Sequence, residues 1–375
     1  MDLDRLERNL SRMASAASAA GVTLRPHAKT HKCQEIADLQ LAHGAAGLTV
    51  ATLGEAETLV AAGCPSVFIA YPLWAGSADR PERLRALSAR ADLRVGVDSV
   101  AAATALAAAA PGTRVLIEID SGQHRSGVLP SEVGPLADAC LSLGLDVAGA
   151  FTHPGHSYGS ADTVRGLDSP DARIEALRAG AATAAADERV ALAAASEALT
   201  TVLAAAATRP GTAEAAAAAG AAGLELSGGS SPTAFAGISG PLTEVRPGTY
   251  VFGDRQQMSL SGLSADDVAL VVAARVVSVP RAGEAVLDSG SKALSSDRAP
   301  WLPGHGLILE APEATIVSLS EEHAVVKGLS ESTLAVGDLV QVVPNHACSV
   351  ANLYSSLAVV RDGEAVDRWL VTARR

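Results

Sequence analysis

The stretch SVFIAYPLWAGSADRPERLRALSARADLRVGVD, residues 66–98, contains the repeating unit that specifies the architecture. Apolar, β-branched runs at 66–71 and 93–98 flank a leucine- and alanine-rich segment, 81–91, that is typical of a helix. Neighbouring parallel strands need a crossover connection, which is usually a helix, so this order predicts two parallel strands of one sheet.

The same alternation runs through the first two-thirds of the chain, with helix-type segments at 34–43, 54–62 and 131–143. The apolar runs are 22–24, 47–51, 66–71, 93–98, 114–120, 147–153, 223–227 and, less regularly, 244–252. Eight strands with helices between them, in about 250 residues, predict a (β/α)₈ TIM-type barrel. An open doubly wound sheet would use fewer strands and a glycine-rich first turn, which this sequence lacks.

The pattern changes after residue 260, where short apolar runs separated by turn residues follow one another without a helix-length segment. These runs are 268–279, 284–287, 306–310, 315–319, 323–326, 339–343, 356–361 and 365–371. They predict a mostly antiparallel β domain. We therefore expect a barrel over residues 1–255 and a β domain over 256–375.

One barrel unit is longer than the others. An alanine-rich insert, residues 172–222, precedes the seventh run, and its first part, 172–207, has helical composition. A longer barrel helix and a disordered loop share this low-complexity composition, so both interpretations stay open.

The composition restricts the partners. The net charge is −12, and no cluster of basic residues resembles a footprint for nucleic acid, which we therefore do not expect as a partner. Charged residues and prolines interrupt the apolar stretches and the start is acidic, so we expect neither a membrane span nor a signal peptide. The four cysteines show no paired framework, which favours free thiols in the cytoplasm.

Polar residues and glycines gather after five of the predicted barrel strands, where barrel enzymes carry their active sites. The segments are RPHAKTHK (25–32), DSGQHRSG (120–127), THPGHSY (152–158), SGGSSPT (227–233) and RPGTY (246–250). The glycine–serine segment combines unobstructed N–H groups with hydroxyl donors, as a phosphate site does. With a lysine after strand one, these residues suit a phosphorylated aldehyde. Taken singly, Lys29 would be an ordinary solvated lysine and Arg125 a helix cap.

A candidate metal pair lies in the segment VPNHAC, residues 343–348. Residues i and i+2 of an extended strand lie on one face, so we expect the imidazole of His346 and the thiol of Cys348 to point the same way. These ligands suit Zn²⁺, and two protein ligands leave positions open for water and substrate, as in catalytic zinc sites. Taken alone, such a pair is more often structural.

Six segments in this order resemble the D-serine dehydratase and D-threonine aldolase family, whose members are pyridoxal phosphate (PLP) enzymes of fold type III, related to alanine racemase. The segments are RPHAKTHK, DSGQHRSG, THPGHSY, SGGSSPT, RPGTYVFGD and VPNHAC, and the similarity covers nearly the whole chain. The resemblance implies an enzyme that acts on small D-amino acids, most often as a homodimer.

The resemblance also implies roles for individual residues. Lys29 would bind PLP as a Schiff base, with Lys32 as the rival lysine. Arg125 would donate a hydrogen bond to the phenolic oxygen of the cofactor, and Tyr158 would approach its pyridine nitrogen. The residues implied around the phosphate are Gly229, Ser230, Ser231 and Tyr250.

In this family a metal beside the cofactor would bind the β-hydroxyl group of the substrate. His346 and Cys348 would hold it, as Zn²⁺ or as Mn²⁺ or Mg²⁺. A dehydratase would convert D-serine or 3-hydroxy-D-aspartate to a 2-oxo acid and ammonia, whereas an aldolase would cleave D-threonine to glycine and an aldehyde. The His-x-Cys pair resembles the dehydratase branch. A racemase or a non-catalytic PLP carrier is less favoured, because neither needs a metal.

Overall fold

A computed structural model describes residues 1–213, 216, 220, 223–329 and 334–374 of the chain. Helix α1 (Leu3–Ala19) precedes a sheet of eight parallel strands, in the order β1-β8-β7-β6-β5-β4-β3-β2. The strands are β1 (Thr23–Leu24), β2 (Leu48–Val50), β3 (Ser66–Pro72), β4 (Asp92–Val97), β5 (Arg114–Ile119), β6 (Asp146–Thr152), β7 (Glu225–Gly228) and β8 (Glu244–Val245). The predicted barrel class is confirmed.

The sheet closes between β1 and β2 through residues just beyond the strand ends. The N–H of Thr49 donates to the carbonyl of Pro26 at 2.8 Å, and its hydroxyl donates to the carbonyl of Arg25 at 2.8 Å. A parallel bridge joins His27 to Thr49. Closure therefore places the segment that follows β1 beside the loops that follow the other strands.

Among the described residues, six helices connect the barrel strands, and three of the predicted segments agree with them within two residues at each end. They are α2 (Gln34–Ala42), α3 (Leu53–Ala61), α4 (Arg80–Ser88), α5 (Val100–Ala109), α6 (Val133–Ser142) and α7 (Pro170–Ala206), followed after β7 and β8 by short helices α8 (Ser231–Ala236) and α9 (Arg255–Ser261). The expectation of an eighth strand over 244–252 was wrong in length. Pro247 has no N–H to donate to the ladder, and the chain turns into a 3₁₀ helix, Thr249–Val251.

Helix α7 resolves the first part of the alanine-rich insert as a barrel helix of 37 residues. Of the described part of the chain, it alone forms a helix long and apolar enough to cross a membrane. One stripe of α7 is buried in the protein: Leu177, Ala181, Ala184, Ala185, Glu188, Ala191, Leu192, Ala195, Leu199, Leu203 and Ala206. At the end of the insert, most residues between 214 and 222 lie outside the described residues.

The second half of the structure contains six antiparallel strands in the order β11-β14-β9-β10-β13-β12 and a hairpin of β15 with β16. The strands are β9 (Val272–Ser278), β10 (Glu284–Leu287), β11 (Leu307–Ile308), β12 (Thr315–Leu319), β13 (Ala324–Lys327), β14 (Leu339–Val343), β15 (Ser356–Arg361) and β16 (Glu364–Leu370). The expectation that no helix intervenes was wrong. Short helices α10 (Ser291–Leu294) and α11 (Ala347–Leu353) lie between the strands.

The apolar residues form two principal cores. One fills the six-stranded sheet and includes Val272 and Val276 of β9, which are buried. The other fills the barrel and also takes in Leu357, Val359 and Trp369 of the hairpin. The terminal hairpin is therefore packed on the barrel, although it follows the β domain in sequence.

Paired charges close the end of the barrel at which the strands begin. Arg25 is 2% exposed, and its Nε donates to Glu244 at 2.6 Å, while Nη1 donates to Ser66 Oγ at 2.8 Å. Arg94 bonds Glu225 at 2.6 Å on the same side. The expectation that Arg25 joins the polar residues at the opposite end was wrong, because its side chain points back under β1.

Replacement of Arg25 by alanine should lower the free energy of unfolding by about 3–5 kcal/mol, because Glu244 loses a buried ionic partner. Urea denaturation followed by circular dichroism measures the change. Arg83→Ala is the matched control, since its ion pair with Glu57 is partly exposed and should contribute at most about 1 kcal/mol. Equal effects of the two substitutions would contradict a stabilising role of the buried network.

Candidate active site

A cavity of about 1290 Å³ lies where the barrel strands end and the β domain meets them. It is lined by residues from both halves of the chain: Lys29, Lys32, Glu55, His153, Tyr158, Thr249, Gln256, His346, Cys348, Ser349, Asn352 and Thr372 among others. Four residues singled out from the sequence, Lys29, Tyr158, His346 and Cys348, therefore share one cavity.

Lys29 lies in a 3₁₀ turn, Ala28–Thr30, directly after β1. Its backbone N–H donates to Nδ1 of His27 at 3.4 Å, which fixes the turn against the barrel. Removal from water lowers the pKa of Lys29; the charges of Arg125 and Arg246 act in the same direction, whereas Cys348 and Glu55 oppose them. A lysine with a lowered pKa provides more neutral amine, the form that attacks an aldehyde.

Lys32 lines the same cavity but is held differently. Its Nζ lies 3.3 Å from Oε1 of Glu55, which is buried, and donates to Oδ1 of Asn352 at 2.8 Å. The Lys32 amine is therefore engaged by a buried carboxylate and a side-chain amide. The environments of the two lysines therefore favour Lys29 as the reactive amine.

Tyr158 and His153 follow β6 and line the wall of the cavity, with their ring centroids 6.3 Å apart. Loss of water raises the pKa of the Tyr158 phenol, whereas Thr249 and the backbone of Ser231 act to lower it. Burial and the neighbouring charge of Lys29 lower the pKa of His153 well below its ordinary value. Both rings are therefore neutral near pH 7.

The other histidines near the strand ends have structural partners. Burial lowers the pKa of His31 to about 4, and its Nε2 lies 3.2 Å from Oε1 of Gln40. The Nε2 of His156 lies 3.2 Å from Oδ2 of Asp187. Neither histidine lines the cavity.

Arg125 is exposed and does not line the cavity. Its positive charge nevertheless acts on Lys29 and His153, lowering the pKa of each. The structure thus places Arg125 near the group of cavity residues without bringing its guanidinium into them.

The glycine–serine segment after β7 forms a compact loop, residues 228–231, which we call the phosphate loop after the role that the family resemblance implies. The Oγ of Ser230 lies 2.9 Å from Oγ of Ser157, and the N–H of Tyr250 donates to Oγ of Ser231 at 3.0 Å. The hydroxyl of Tyr250 accepts from Nε2 of Gln40 at 3.1 Å and is buried. Tyr250 thus shapes the loop through its backbone while its hydroxyl is engaged elsewhere.

His346 and Cys348 lie at the start of α11 rather than on an extended strand. His346 is the residue that caps the helix, with φ −140° and ψ 105°, and Cys348 lies in its first turn. The prediction that the two residues lie on one face of an extended strand was therefore wrong. Their side chains come close because the chain enters the helix between them, and the imidazole lowers the pKa of the thiol.

Cys348 differs from the other three cysteines. Burial raises the pKa of its thiol, but His346 and the hydroxyls of Thr249 and Thr30 together lower it by more. The net shift of the pKa is therefore downward. The two hydroxyl oxygens lie 3.4 and 3.3 Å from its sulfur. A thiolate beside an imidazole provides two ligands for a borderline metal ion such as Zn²⁺.

Two carboxylates that the sequence did not single out hold this pair. Asp297 Oδ2 lies 2.9 Å from Nδ1 of His346, and the hydroxyl of Ser349 also donates to Asp297. Its hydrogen bond with His346 is the main cause that lowers the pKa of Asp297, to about 2. A carboxylate on Nδ1 fixes the tautomer that leaves Nε2 for a metal.

Asp254, which ends the segment RPGTYVFGD, is the second carboxylate. It is fully buried and accepts from the N–H groups of Gln257 at 2.8 Å and Ala347 at 2.9 Å. No local signal in the sequence indicates this pairing, because 93 residues separate Asp254 from Ala347. The one hint in the sequence is the position of Asp254 shortly after the last predicted barrel strand.

These residues fit both groups that the family resemblance implies. A lysine with a lowered pKa, two neutral rings and a compact glycine–serine loop suit a phosphorylated pyridine aldehyde. His346 and Cys348 suit a metal with open positions. The described residues contain no cluster of three or more metal-ligating side chains.

The chain matches two protein families along its length. Residues 1–214 match the family described as alanine racemase, N-terminal domain, and residues 269–360 match the putative serine dehydratase domain. The D-threo-3-hydroxyaspartate dehydratase of Delftia sp. (strain HT23) is 33% identical over 98% of this chain and 95% of its own length. The D-threonine aldolase of Arthrobacter sp is 32% identical over 100% of this chain and 91% of its own.

Solved structures show the same likeness. The structure of the Delftia dehydratase superposes with a TM-score of 0.79, covering 99% of this chain and 95% of that one. The same dehydratase has been solved as a cysteine-to-alanine mutant in the metal-free form, with a TM-score of 0.79, and as a histidine-to-alanine mutant, with a TM-score of 0.75.

Of the four cysteines, Cys348 should react first with iodoacetamide at neutral pH. Its pKa lies below the ordinary thiol value, whereas burial raises the pKa values of Cys33, Cys64 and Cys140. The labelling rate should fall as the pH drops through the lowered pKa, with its midpoint below about 8.5. Peptide mapping by mass spectrometry after a short exposure identifies the labelled residue.

The matched controls are two substitutions. Cys348→Ser should remove the early label, and Cys140→Ser should leave it unchanged. His346→Gln should slow the labelling of Cys348, because the imidazole lowers the pKa of the thiol. Early labelling at any other cysteine would contradict the described electrostatics.

Proposed function

Because the chain belongs to the alanine racemase-like PLP enzymes that include D-threo-3-hydroxyaspartate dehydratase and D-threonine aldolase, we propose that it is a lyase of D-β-hydroxy amino acids. We propose dehydration as its reaction, with 3-hydroxy-D-aspartate or D-serine as substrate. The observation that carries the proposal is the shared cavity of Lys29 with His346 and Cys348. An amine that binds the cofactor and a pair that binds a metal are both needed for this reaction.

The residues proposed to hold the cofactor are Lys29 at the aldehyde, Tyr158 at the pyridine ring and Ser230 and Ser231 at the phosphate. Gly229 and Tyr250 support the phosphate loop, and Arg125 contributes positive charge. When bound, PLP supplies an electron sink for the bond that breaks at the substrate Cα. The metal proposed at His346 and Cys348, Zn²⁺ or else Mn²⁺ or Mg²⁺, supplies a Lewis acid for the β-hydroxyl group.

The protein itself supplies proton transfer, orientation and exclusion of water. Lys29, with its lowered pKa, would accept the proton from the substrate Cα once the substrate has replaced it on the cofactor. Asp297 would keep the Nε2 lone pair of His346 aimed into the cavity. Lys32 provides a fixed positive charge at the wall, which suits the carboxylate of an amino acid.

Dehydration is favoured over aldol cleavage by the ligand pair. The mutated histidine and cysteine of the Delftia dehydratase are two positions apart, as His346 and Cys348 are here. The pair in the aldolase branch is more commonly His-x-Asp. D-threonine aldolase is therefore the alternative. The metal pair argues against a racemase, and the metal pair and the second domain argue against a PLP carrier. A cytoplasmic homodimer completes the proposal.

Sodium borohydride should fix PLP covalently to Lys29 in the purified protein. The reason is that Lys29 has the lowered pKa, whereas Lys32 is paired with Glu55. Tryptic mapping by mass spectrometry locates the modified residue. Lys29→Ala should abolish the adduct and Lys32→Ala should retain it; an adduct found on Lys32 would refute the assignment.

Chelation should abolish turnover while PLP stays bound, because the cofactor and the metal are held by different residues. The wild-type protein is treated with EDTA, assayed with D-serine, 3-hydroxy-D-aspartate and D-threonine, and reloaded with Zn²⁺. Restored release of ammonia with pyruvate from D-serine, or with oxaloacetate from 3-hydroxy-D-aspartate, is the expected result. Cys348→Ala should mimic chelation, whereas Cys140→Ala should not.

Two outcomes would change the proposal. Glycine and acetaldehyde from D-threonine, with no 2-oxo acid from the other two substrates, would establish the aldolase instead. Full activity after complete removal of metal would refute the role given to His346 and Cys348. PLP absorbance recorded throughout shows that a loss of activity is not a loss of cofactor.

A further inference from the structure

Helix α7 places one carboxyl group against the phosphate loop. Glu188 is 2% exposed, and its Oε1 accepts a hydrogen bond from the N–H of Gly229 at 2.6 Å. Glu188 is the only charged residue in the buried stripe of α7, which otherwise consists of alanine and leucine. The presence of an acidic side chain among these buried apolar residues calls for a structural or functional explanation.

The cost of this burial is considerable. Removal from water raises the pKa of Glu188 to about 7, and only the N–H of Gly229 and the charges of Arg246 and Arg189 oppose that rise. Alanine at this position would fit the composition of the stripe and avoid the cost. The carboxyl group therefore serves the loop it contacts rather than the stability of the helix.

The contact is specific to the glycines of the loop. A Cβ atom added to Gly228 would lie so close to Oε1 of Glu188 that a side chain there would displace the carboxyl group. Gly229 has φ +84°, a conformation in which its N–H is directed at the helix. The two glycines thus allow close approach of Glu188 and the turn that meets it.

The other contacts of the phosphate loop come from the barrel. Ser230 contacts Ser157 after β6, and Ser231 contacts Tyr250 after β8. Glu188 is the contact that reaches the loop from α7, on the N-terminal side of these serines. The carbonyl of the Gly228–Gly229 peptide accepts from the N–H of Arg246 at 2.8 Å, so without Glu188 this peptide would keep one hydrogen bond and its N–H would lose its buried acceptor.

We infer that Glu188 is a positioning residue for the cofactor phosphate: it fixes the Gly228–Gly229 peptide so that Ser230 and Ser231 present their donors in one arrangement. The inference rests on the proposed function, because the phosphate belongs to the proposed cofactor. It gives α7 a role beyond packing. Since Gly229 donates to Glu188, its N–H orients the loop and does not bind the phosphate directly.

The test compares PLP with pyridoxal, which lacks the phosphate group. Cofactor-free protein is titrated with each compound, and dissociation constants are obtained from absorbance and intrinsic fluorescence. Glu188→Met, which keeps the volume but removes the acceptor, should weaken PLP binding by about 10- to 100-fold. The same substitution should change the affinity for pyridoxal by less than about 3-fold, because pyridoxal does not engage the loop.

Two further variants separate positioning from general stability. Glu188→Gln retains an acceptor oxygen for Gly229 and should stay within about 3-fold of the wild-type affinity for PLP. Glu197→Ala, a glutamate of the same helix outside its buried stripe, should have no effect. Thermal unfolding of each variant shows whether it is folded, and the glutamine variant remains informative if the methionine variant is not.

The outcomes are distinct. Equal weakening of PLP and pyridoxal, or loss of PLP affinity in Glu188→Gln as large as in Glu188→Met, would overturn the inference. So would unchanged PLP affinity in Glu188→Met. If the wild-type protein binds neither compound, the proposed function itself fails.

Discussion

The buried carboxylate of Asp254 holds the two halves of the cavity together. Asp254 ends the barrel sequence, accepts the N–H of Gln257 in α9, and accepts the N–H of Ala347, which lies between His346 and Cys348. Beside it, the N–H of Arg255 donates to the carbonyl of Pro344 at 3.0 Å. Lys29 belongs to the barrel and Cys348 to the β domain, and this backbone pairing joins the two parts of the chain that line the cavity.

Burying the carboxyl group of Asp254 carries a free-energy cost, which its hydrogen-bond donors offset. Burial raises its pKa, and the charge of His346 and the backbone N–H groups it accepts oppose that rise. A buried carboxylate without these donors would strongly destabilise the protein. Folding therefore has to place the donor N–H groups beside Asp254. The same arrangement determines where α11 begins and hence where the imidazole and the thiol point.

The two ends of the barrel differ in the arrangement of their charged residues. At one end Arg25 and Arg94 are paired with Glu244 and Glu225, and the charges compensate one another. At the other end Lys29 lies near the guanidinium groups of Arg125 and Arg246, and burial keeps His153 neutral. The paired end stabilises the closed sheet. The positive charges of Lys29, Arg125 and Arg246 suit anionic ligands such as a phosphate and an amino acid carboxylate.

The barrel could be predicted from the sequence, because parallel strands need crossovers and apolar runs alternate with helical segments through all eight strands. The position of Lys29 near one end of the barrel could be predicted because it follows a barrel strand, whereas the interest of the His-x-Cys pair came from the family resemblance. The partners of these residues depend on the tertiary structure. Asp297 contacts His346, which is 49 residues away in the sequence. Glu188 contacts Gly229, which is 41 residues away. Such contacts, like the inward turn of Arg25, depend on how distant elements pack, which no local pattern encodes.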